Sequence, residues 1–434
     1  MEDLNDVGET SSPYFLIERY IDLCTELKLL PNPYIVDVLE QIFQLSPQKA
    51  YAGFRLYLAG NYRYFPVKRL TDSDAVALVC TLCKVSFITG LDLRYNRLTN
   101  CGAEHIAKLL LGTQSLEYLN LMCNEIGVNG AEWLAKALQQ NHTLKYLRMN
   151  GNKFGNKGGM YFATMLQINC TLEDLDLGDC DLGTESLIAL TTVLNKNRNL
   201  KSLNVSRPLL HSLQEKVTAH VALMLSINQT LQELHLGKQG LNNFDVDQLC
   251  EALLRNQTLR YLDLRCNQIS RDGARSLAEL LKHDTPLQIL DLTANRIEDE
   301  GLVYISESLL YLNHNLKALA VVSNSITGIG LVAFANALKA NRSLTHFYFW
   351  GNEMDETACK VFANLIKVGR LKPNRTDVQP YWINGRVYLA EVSHGLRKHY
   401  YWTPISGEDE EPAANAGPAL LKAAPAALPN GQQM

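Results

Sequence analysis

The chain has 434 residues, 47% of them hydrophobic, and carries 41 Lys+Arg against 45 Asp+Glu for a net charge of −4. A balance so close to neutral leaves no electrostatic footprint for nucleic acid or for an anionic membrane surface. The 10 cysteines are scattered without a repeated pair, which argues against a disulfide framework, and a chain of this length implies two or three domains unless one repeat absorbs most of it.

Residues 1–12 are acidic and polar and are expected to be disordered; they do not read as a signal peptide. From Pro13 to about Gln44 two helices are predicted, separated by Pro31 and Pro33. Their apolar residues (Phe15, Leu16, Tyr20, Leu23, then Ile35, Val38, Leu39, Ile42) suit a helical cap over residues 13–52. Gly53 to Val85 looks like a degenerate copy of a unit that repeats toward the C-terminus: Leu56, Leu58 and Asn61 keep a strand spacing, and the insertion YRYFPVKR precedes Leu70 and a helix over Asp74–Leu82.

From Ile88 onward one pattern, LxxLxLxxNxL, recurs. Its clearest copy is Leu116, Leu119, Leu121, Asn124, Ile126, and matching copies begin at Ile88, Leu144, Leu172, Leu200, Leu231, Leu259, Leu287, Leu316 and Leu344. Successive starts lie 28 residues apart, except for 31 between Leu200 and Leu231 and 29 between Leu287 and Leu316. A fixed period of this size means a solenoid. Leu119 and Leu121, two apart on a strand, face the same side, and Asn120 faces the other. The column Asn96, Asn124, Asn152, Asn267, Asn295, Asn324, Asn352 sits where the backbone leaves the sheet. Its amides are expected to satisfy loop groups of adjacent coils.

The second half of each unit is a helix, with one apolar stripe such as Gly130, Leu134, Ala135, Leu138 or Gly273, Leu277, Ala278, Leu281. Ala at the central position lets the helix lie close to the sheet. A stop residue follows three positions before the next strand, usually Asn (Asn141, Asn169, Asn197, Asn228, Asn256, Asn313, Asn341). A left-handed helix end is the expected reason for Asn there. Strand, loop and helix in about 28 residues force parallel strands and right-handed crossovers. The expected fold is therefore α/β: a solenoid horseshoe over residues 53–368, with a concave parallel sheet and convex helices. In the unit starting at Leu200, Pro208 takes the Asn position and the extra residues fall near Ser206–Leu213. That loop is either a functional projection or a tolerated insertion.

The C-terminal stretch 369–404 changes character, with Trp382, Trp402 and HYYWTP, and Asn384-Gly385 marks a two-residue hairpin turn. It reads as a C-terminal cap or a peptide-docking element. Residues 405–434, rich in Ala and Pro with a short acidic run Glu408–Glu411, are expected to be disordered.

Catalytic and cofactor motifs fail on inspection. GNKFGNKGG at 151–159 lacks phosphate-loop spacing, Cys80-x-x-Cys83 has no second pair for zinc, and no Ser/His/Asp or Cys/His set stands out. Five of the seven Asn-x-Ser/Thr sequons coincide with the helix-stop Asn. The expectation is no enzyme activity, no cofactor, no metal site and no membrane span, in a reduced intracellular chain of the nucleus or cytoplasm. Cys180 at an Asn position and Cys250 at an Ala position fit structural thiols.

What remains is the outward side of the strands. One column reads Asp92, Asn120, Arg148, Asp176, Asn204, His235, Asp263, Asp291, Ala320, Tyr348; a second ends in Trp350; a third carries Tyr118, Tyr146, Asp174, Tyr261 and His346. Aromatics on such a face are interface anchors. The candidate protein-binding residues are therefore Tyr118, Tyr146, Arg148, Asp174, Asp176, Tyr261, His346, Tyr348 and Trp350. For Tyr348 and Trp350 the alternative is packing against the C-terminal segment.

The unit GxxxLAxxLxxNxxL between strands resembles the ribonuclease-inhibitor-like class of leucine-rich repeats over about residues 53–368. The resemblance implies a protein-binding scaffold or regulator, monomeric and without cofactor, that acts through the concave face and loop rim. Ribonuclease inhibitor itself is far more acidic and cysteine-rich. A NOD-like receptor needs a nucleotide-binding domain ahead of the repeats. A GTPase-activating protein of the Ran activator type has a longer acidic run after the repeats, and it stands as the alternative.

Overall fold

The computed structural model describes residues 13–44, 53–61, 67–83, 85–210, 217–283 and 285–392. The expected disorder at 1–12 and 405–434, Trp402, and parts of both insertions lie outside these residues. Two helices, α1 (Pro13–Glu26) and α2 (Pro33–Gln44), precede the first strand. Tyr20 of α1 is fully buried, and its hydroxyl accepts the Asn32 N–H at 3.1 Å, which fixes the turn between the two helices.

Strands and helices then alternate: β1 (Phe54–Tyr57), α3 (Asp72–Leu82), β2 (Ile88–Asp92), α4 (Asn100–Gly112), β3 (Tyr118–Asn120), α5 (Val128–Leu138), β4 (Tyr146–Arg148), α6 (Gly155–Leu166), β5 (Asp174–Asp176), α7 (Thr184–Leu194), β6 (Ser202–Asn204), α8 (Val217–Ile227) and β7 (Glu233–His235). The series continues through α9 (Asn243–Leu253), β8 (Tyr261–Asp263), α10 (Arg271–Lys282), β9 (Ile289–Asp291), α11 (Glu298–Tyr311), β10 (Ala318–Ala320), α12 (Gly328–Ala340), β11 (His346–Tyr348) and α13 (Glu356–Lys367). It ends in a hairpin, β12 (Val378–Ile383) and β13 (Arg386–Glu391). The chain divides into two compact units: residues up to Gly240 with Glu251–Thr258, and Leu241–Cys250 with residues from Leu259 on. Strands β1–β7 in the first and β8–β11 in the second follow chain order, and neighbours pair in parallel. This is the α/β repeat solenoid that the spacing requires.

The leucines of the pattern fill the space between sheet and helices; Leu119, Leu147, Leu175, Leu203, Leu262 and Leu290 are completely buried. The Asn column works as the sequence suggests. Asn124 donates through Nδ2 to the carbonyls of Leu93 and Leu121, each at 3.0 Å, and its Oδ1 accepts the Leu98 N–H at 3.1 Å. Asn152 repeats this on Leu121, Met149 and Ile126. Where the column carries Cys180, the thiol reaches the same Met149 carbonyl at 3.2 Å.

The stop asparagines act differently from the expectation. None of them has a positive φ, so a left-handed helix end is not what selects Asn. They form a second ladder instead. Asn141 donates to the Leu110 carbonyl at 2.7 Å and accepts the Leu144 N–H at 2.8 Å, tying one helix end to the next strand. Buried and bonded in this way, Asn141, Asn169, Asn228, Asn256 and Asn341 have no free amide. The left-handed residue is the one just before the Asn column. Tyr95, Cys123, Asp179, Arg207, Lys238, Cys266, Ala294 and Ser323 all have φ between 52° and 58°. Each non-glycine there costs on the order of 1 kcal/mol, a strain that the Asn bonds offset.

Candidate functional site

Strands β3–β11 are three residues long, so their first and last residues point away from the helices. Pairing is in register, and their first residues, with Arg55 of β1 and Gly90 of β2, form one column: Arg55, Gly90, Tyr118, Tyr146, Asp174, Ser202, Glu233 in the first unit. In the second unit the same column is Tyr261, Ile289, Ala318, His346. Neighbours in such a column stand about 4.8 Å apart, close enough for side chains to cover one another.

That closeness changes the expected exposure of the face. Tyr118, Tyr261 and Tyr348 are buried, as are Arg148, Asp174 and Asp176; Tyr146, His346 and Trp350 are half-buried. In the second unit Tyr261, Ile289, Ala318, Ala320 and Tyr348 make one apolar cluster on the open face. Tyr348 thus packs against its own sheet, and Asp377 and Arg375 of the C-terminal segment also lie near it. The backbone N–H groups of Phe349 and Trp350, which would face a further strand, are accepted by the two oxygens of Asp377 at 2.9 and 3.0 Å. Burial pushes the Asp377 carboxyl up to about 6 against the pull of those two donors. The hairpin β12–β13, turned through Asn384 and Gly385 at positive φ, packs against α13. It leaves Tyr381, Trp382, Ile383 and Tyr388 exposed.

The first unit's face is ionic. Arg148 sits 3.5 Å from Asp176 and 3.7 Å from Asp174. Asp176 also accepts from Asn204 Nδ2 at 2.7 Å and from the Gly178 N–H at 3.0 Å. Among the described residues no hydrogen bond is made to the Asp174 carboxylate; it forms an ion pair with Arg148, and Glu233, Asp176 and His235 also act on its charge. Burial, with Glu233 and Asp176 adding repulsion against Arg148, raises its carboxyl to about 6. The acidic residues Glu173, Asp174, Asp176 and Asp179 do not form a uniform patch. Glu173 pairs with Lys201 at 2.9 Å, while Asp179 pairs with Lys153 and Arg207 at 3.3 and 3.0 Å. Asp174 is left as its least satisfied member.

Two features escaped the sequence. The Arg55 guanidinium lies 5.0 Å from the centroid of the Tyr118 ring. It reaches there because Gly90 stands between them in the register; a Cβ on Gly90 would be 2.5 Å from Arg55 Cγ. Nothing in the sequence links three residues so far apart. Asp377 as the cover of the last strand edge was equally hidden.

Among the described residues no group of His, Cys, Asp and Glu could hold a metal ion, and no helix is long and apolar enough to cross a membrane. Among the described residues no two cysteines are joined in a disulfide.

A model of the leucine-rich repeat family matches residues 113–135, 140–163, 169–190, 255–278, 283–306 and 312–335. It skips the stretch that holds the longer unit with Pro208. Leucine-rich repeat-containing protein 34 from Homo sapiens is 57% identical over 418 residues, covering 96% of this chain and 89% of the relative. The Rattus norvegicus protein of the same name is 52% identical, covering 94% and 98%. The Mus musculus protein is 48% identical, covering 93% and 97%. Among solved structures, an internalin from Listeria monocytogenes aligns at 13% identity and TM-score 0.38, covering 80% of this chain and 95% of that one. Actin-binding site 2 of leiomodin-1 aligns at 18% identity and TM-score 0.30, covering 35% and 86%. Likeness at that level carries no argument about function.

Proposed function

The chain belongs to the family of leucine-rich repeat-containing protein 34, and from that premise we propose that it is a non-catalytic scaffold or regulator that binds a protein partner through the open strand face and the adjoining loop rim. The observation that carries this reading is a contrast of positions within one repeat. Leucine and asparagine positions are spent on the solenoid itself, whereas the open-face positions change from coil to coil and hold Tyr, Arg, Asp and Trp. Tyr146, His346 and Trp350 present the contact surface. Tyr118, Arg148, Asp174, Asp176, Tyr261 and Tyr348 lie beneath it and set its charge and shape. The chain acts as a monomer in the nucleus or cytoplasm.

The GTPase-activator alternative has no support in the family matches. Proximity labelling in cells, followed by capture of the labelled partner with wild-type and open-face variants, tests the reading. Loss of capture on Tyr146→Ala or Trp350→Ala in a folded protein is the expected result. Capture that depends only on helix-side residues, or acceleration of GTP hydrolysis by a small GTPase, would overturn it.

A further inference from the structure

Tyr118 and Tyr146 are register partners on β3 and β4, the same residue at the same repeat position, yet their surroundings differ. Tyr118 is buried, and the Arg55 guanidinium lies over its ring at 5.0 Å. Tyr146 is half-buried, and among the described residues no cation or ring stacks on it. Next in the column is Asp174, 4% exposed, whose carboxylate accepts no hydrogen bond from a described residue. After it comes Ser202, a small buried residue.

We propose that this column is a docking site for an arginine side chain of a partner protein, with the guanidinium over Tyr146 and its N–H groups on the Asp174 carboxylate. The inference rests on the protein-binding reading above and names the chemistry of the contact. The chain already displays the arrangement once, with its own Arg55 on Tyr118; the Tyr146 position repeats the ring, adds the counter-charge and lacks the cation. An arginine fits better than a lysine. Its planar guanidinium can stack on the ring while donating in a fork to the carboxylate, whereas an ammonium is a strongly hydrated point charge. Arg148 does not fill the place, because it reaches Asp174 only at 3.7 Å and also faces Asp176.

The test is a nuclear magnetic resonance titration of the full chain with three capped tripeptides, Gly-Arg-Gly, Gly-Lys-Gly and the neutral citrulline analogue, following the Tyr146 ring and the Asp174 carboxyl. The arginine peptide is expected to shift both resonances, with the lysine peptide several-fold weaker and the citrulline peptide silent. Tyr146→Phe should retain binding. Tyr146→Ala and Asp174→Asn should each weaken it by about three- to tenfold. Equal binding of the arginine and lysine peptides, or shifts that spare both residues, would overturn the proposal even with wild-type protein alone. A partner captured through His346 and Trp350 on the open face, with no response to Tyr146→Ala, sinks this inference and leaves the scaffold reading standing. Capture that depends only on helix-side residues overturns both.

Discussion

The open faces of the two units are built on the same short strands, and each holds a buried ionic group: Arg148 with Asp174 and Asp176 in the first, Arg265 with Asp263 and Asp291 in the second. Only the second adds an apolar cluster. In the first, Arg148, Asp174, Asp176 and Asn204 make an ionic network with Tyr146 half-exposed beside it. In the second, Tyr261, Ile289, Ala318, Ala320 and Tyr348 close over one another in an apolar cluster. The repeat therefore does not dictate what its outer face does. A face of neighbouring apolar side chains satisfies itself and becomes part of the core, whereas a face with a buried, poorly bonded carboxylate keeps capacity for a ligand. Aromatic residues at equivalent positions can thus serve stability in one unit and recognition in the other.

The largest effect that sharpens this contrast is expected from Tyr348→Ala. Removing a buried aromatic side chain costs about 3–5 kcal/mol, read as a fall in melting temperature, and Tyr146→Ala should cost far less. Equal losses would erase the distinction between the two faces. Asp377→Ala comes next. It leaves the Phe349 and Trp350 N–H groups without their acceptor, at about 1–3 kcal/mol each where water cannot replace it. Hydrogen exchange at those two amides should accelerate while the first unit is unchanged.

The pH dependence of Asp174 gives a smaller effect of opposite sign. An ordinary aspartate titrates near 3.8 and this one near 6, so the folded state binds the proton more tightly than the unfolded chain. The ionised group therefore costs stability above pH 6, and that cost disappears as pH falls from about 6 to 3.8. Asp174→Asn should raise stability at pH 7.5 by at most about 3 kcal/mol, a figure already net of its pairing with Arg148. The advantage should be gone near pH 4. An Asn variant that is less stable than wild type at pH 7.5 would mean that the Arg148 pair outweighs the burial. The smallest effect belongs to the exposed pair Glu117–Lys145, 2.8 Å apart. Lys145→Ala should change stability by under about 1 kcal/mol, and less in high salt.

The sequence made the solenoid legible because Leu119, Leu121 and Asn124 do the same work in every coil, and a repeated task leaves a repeated letter. The left-handed position before the Asn column was not legible, since Tyr95, Asp179, Lys238 and Ala294 share a backbone conformation imposed by the ladder and not by their own preferences. The role of the stop asparagines was misread for a related reason: residue type suggested a backbone conformation where the side-chain bonds decide. On the open face, identity and register were readable for Tyr118, Tyr146 and Asp174, but burial was not. It depends on which neighbour lies over which, as Arg55 across Gly90 shows.

The most direct test of open-face recognition compares two aromatic-to-alanine variants on opposite sides of the first unit. Tyr146 lies on the open strand face, and Trp133 is 47% exposed on α5. With the partner identified by proximity labelling, its affinity is measured for Tyr146→Ala and Trp133→Ala alongside their melting temperatures. Tyr146→Ala is expected to lose about tenfold or more in affinity, as a hot-spot aromatic does, with little change in melting temperature, and Trp133→Ala is expected to bind like wild type. Full affinity for Tyr146→Ala together with a loss for Trp133→Ala would place recognition on the helices and contradict a binding role for the open face.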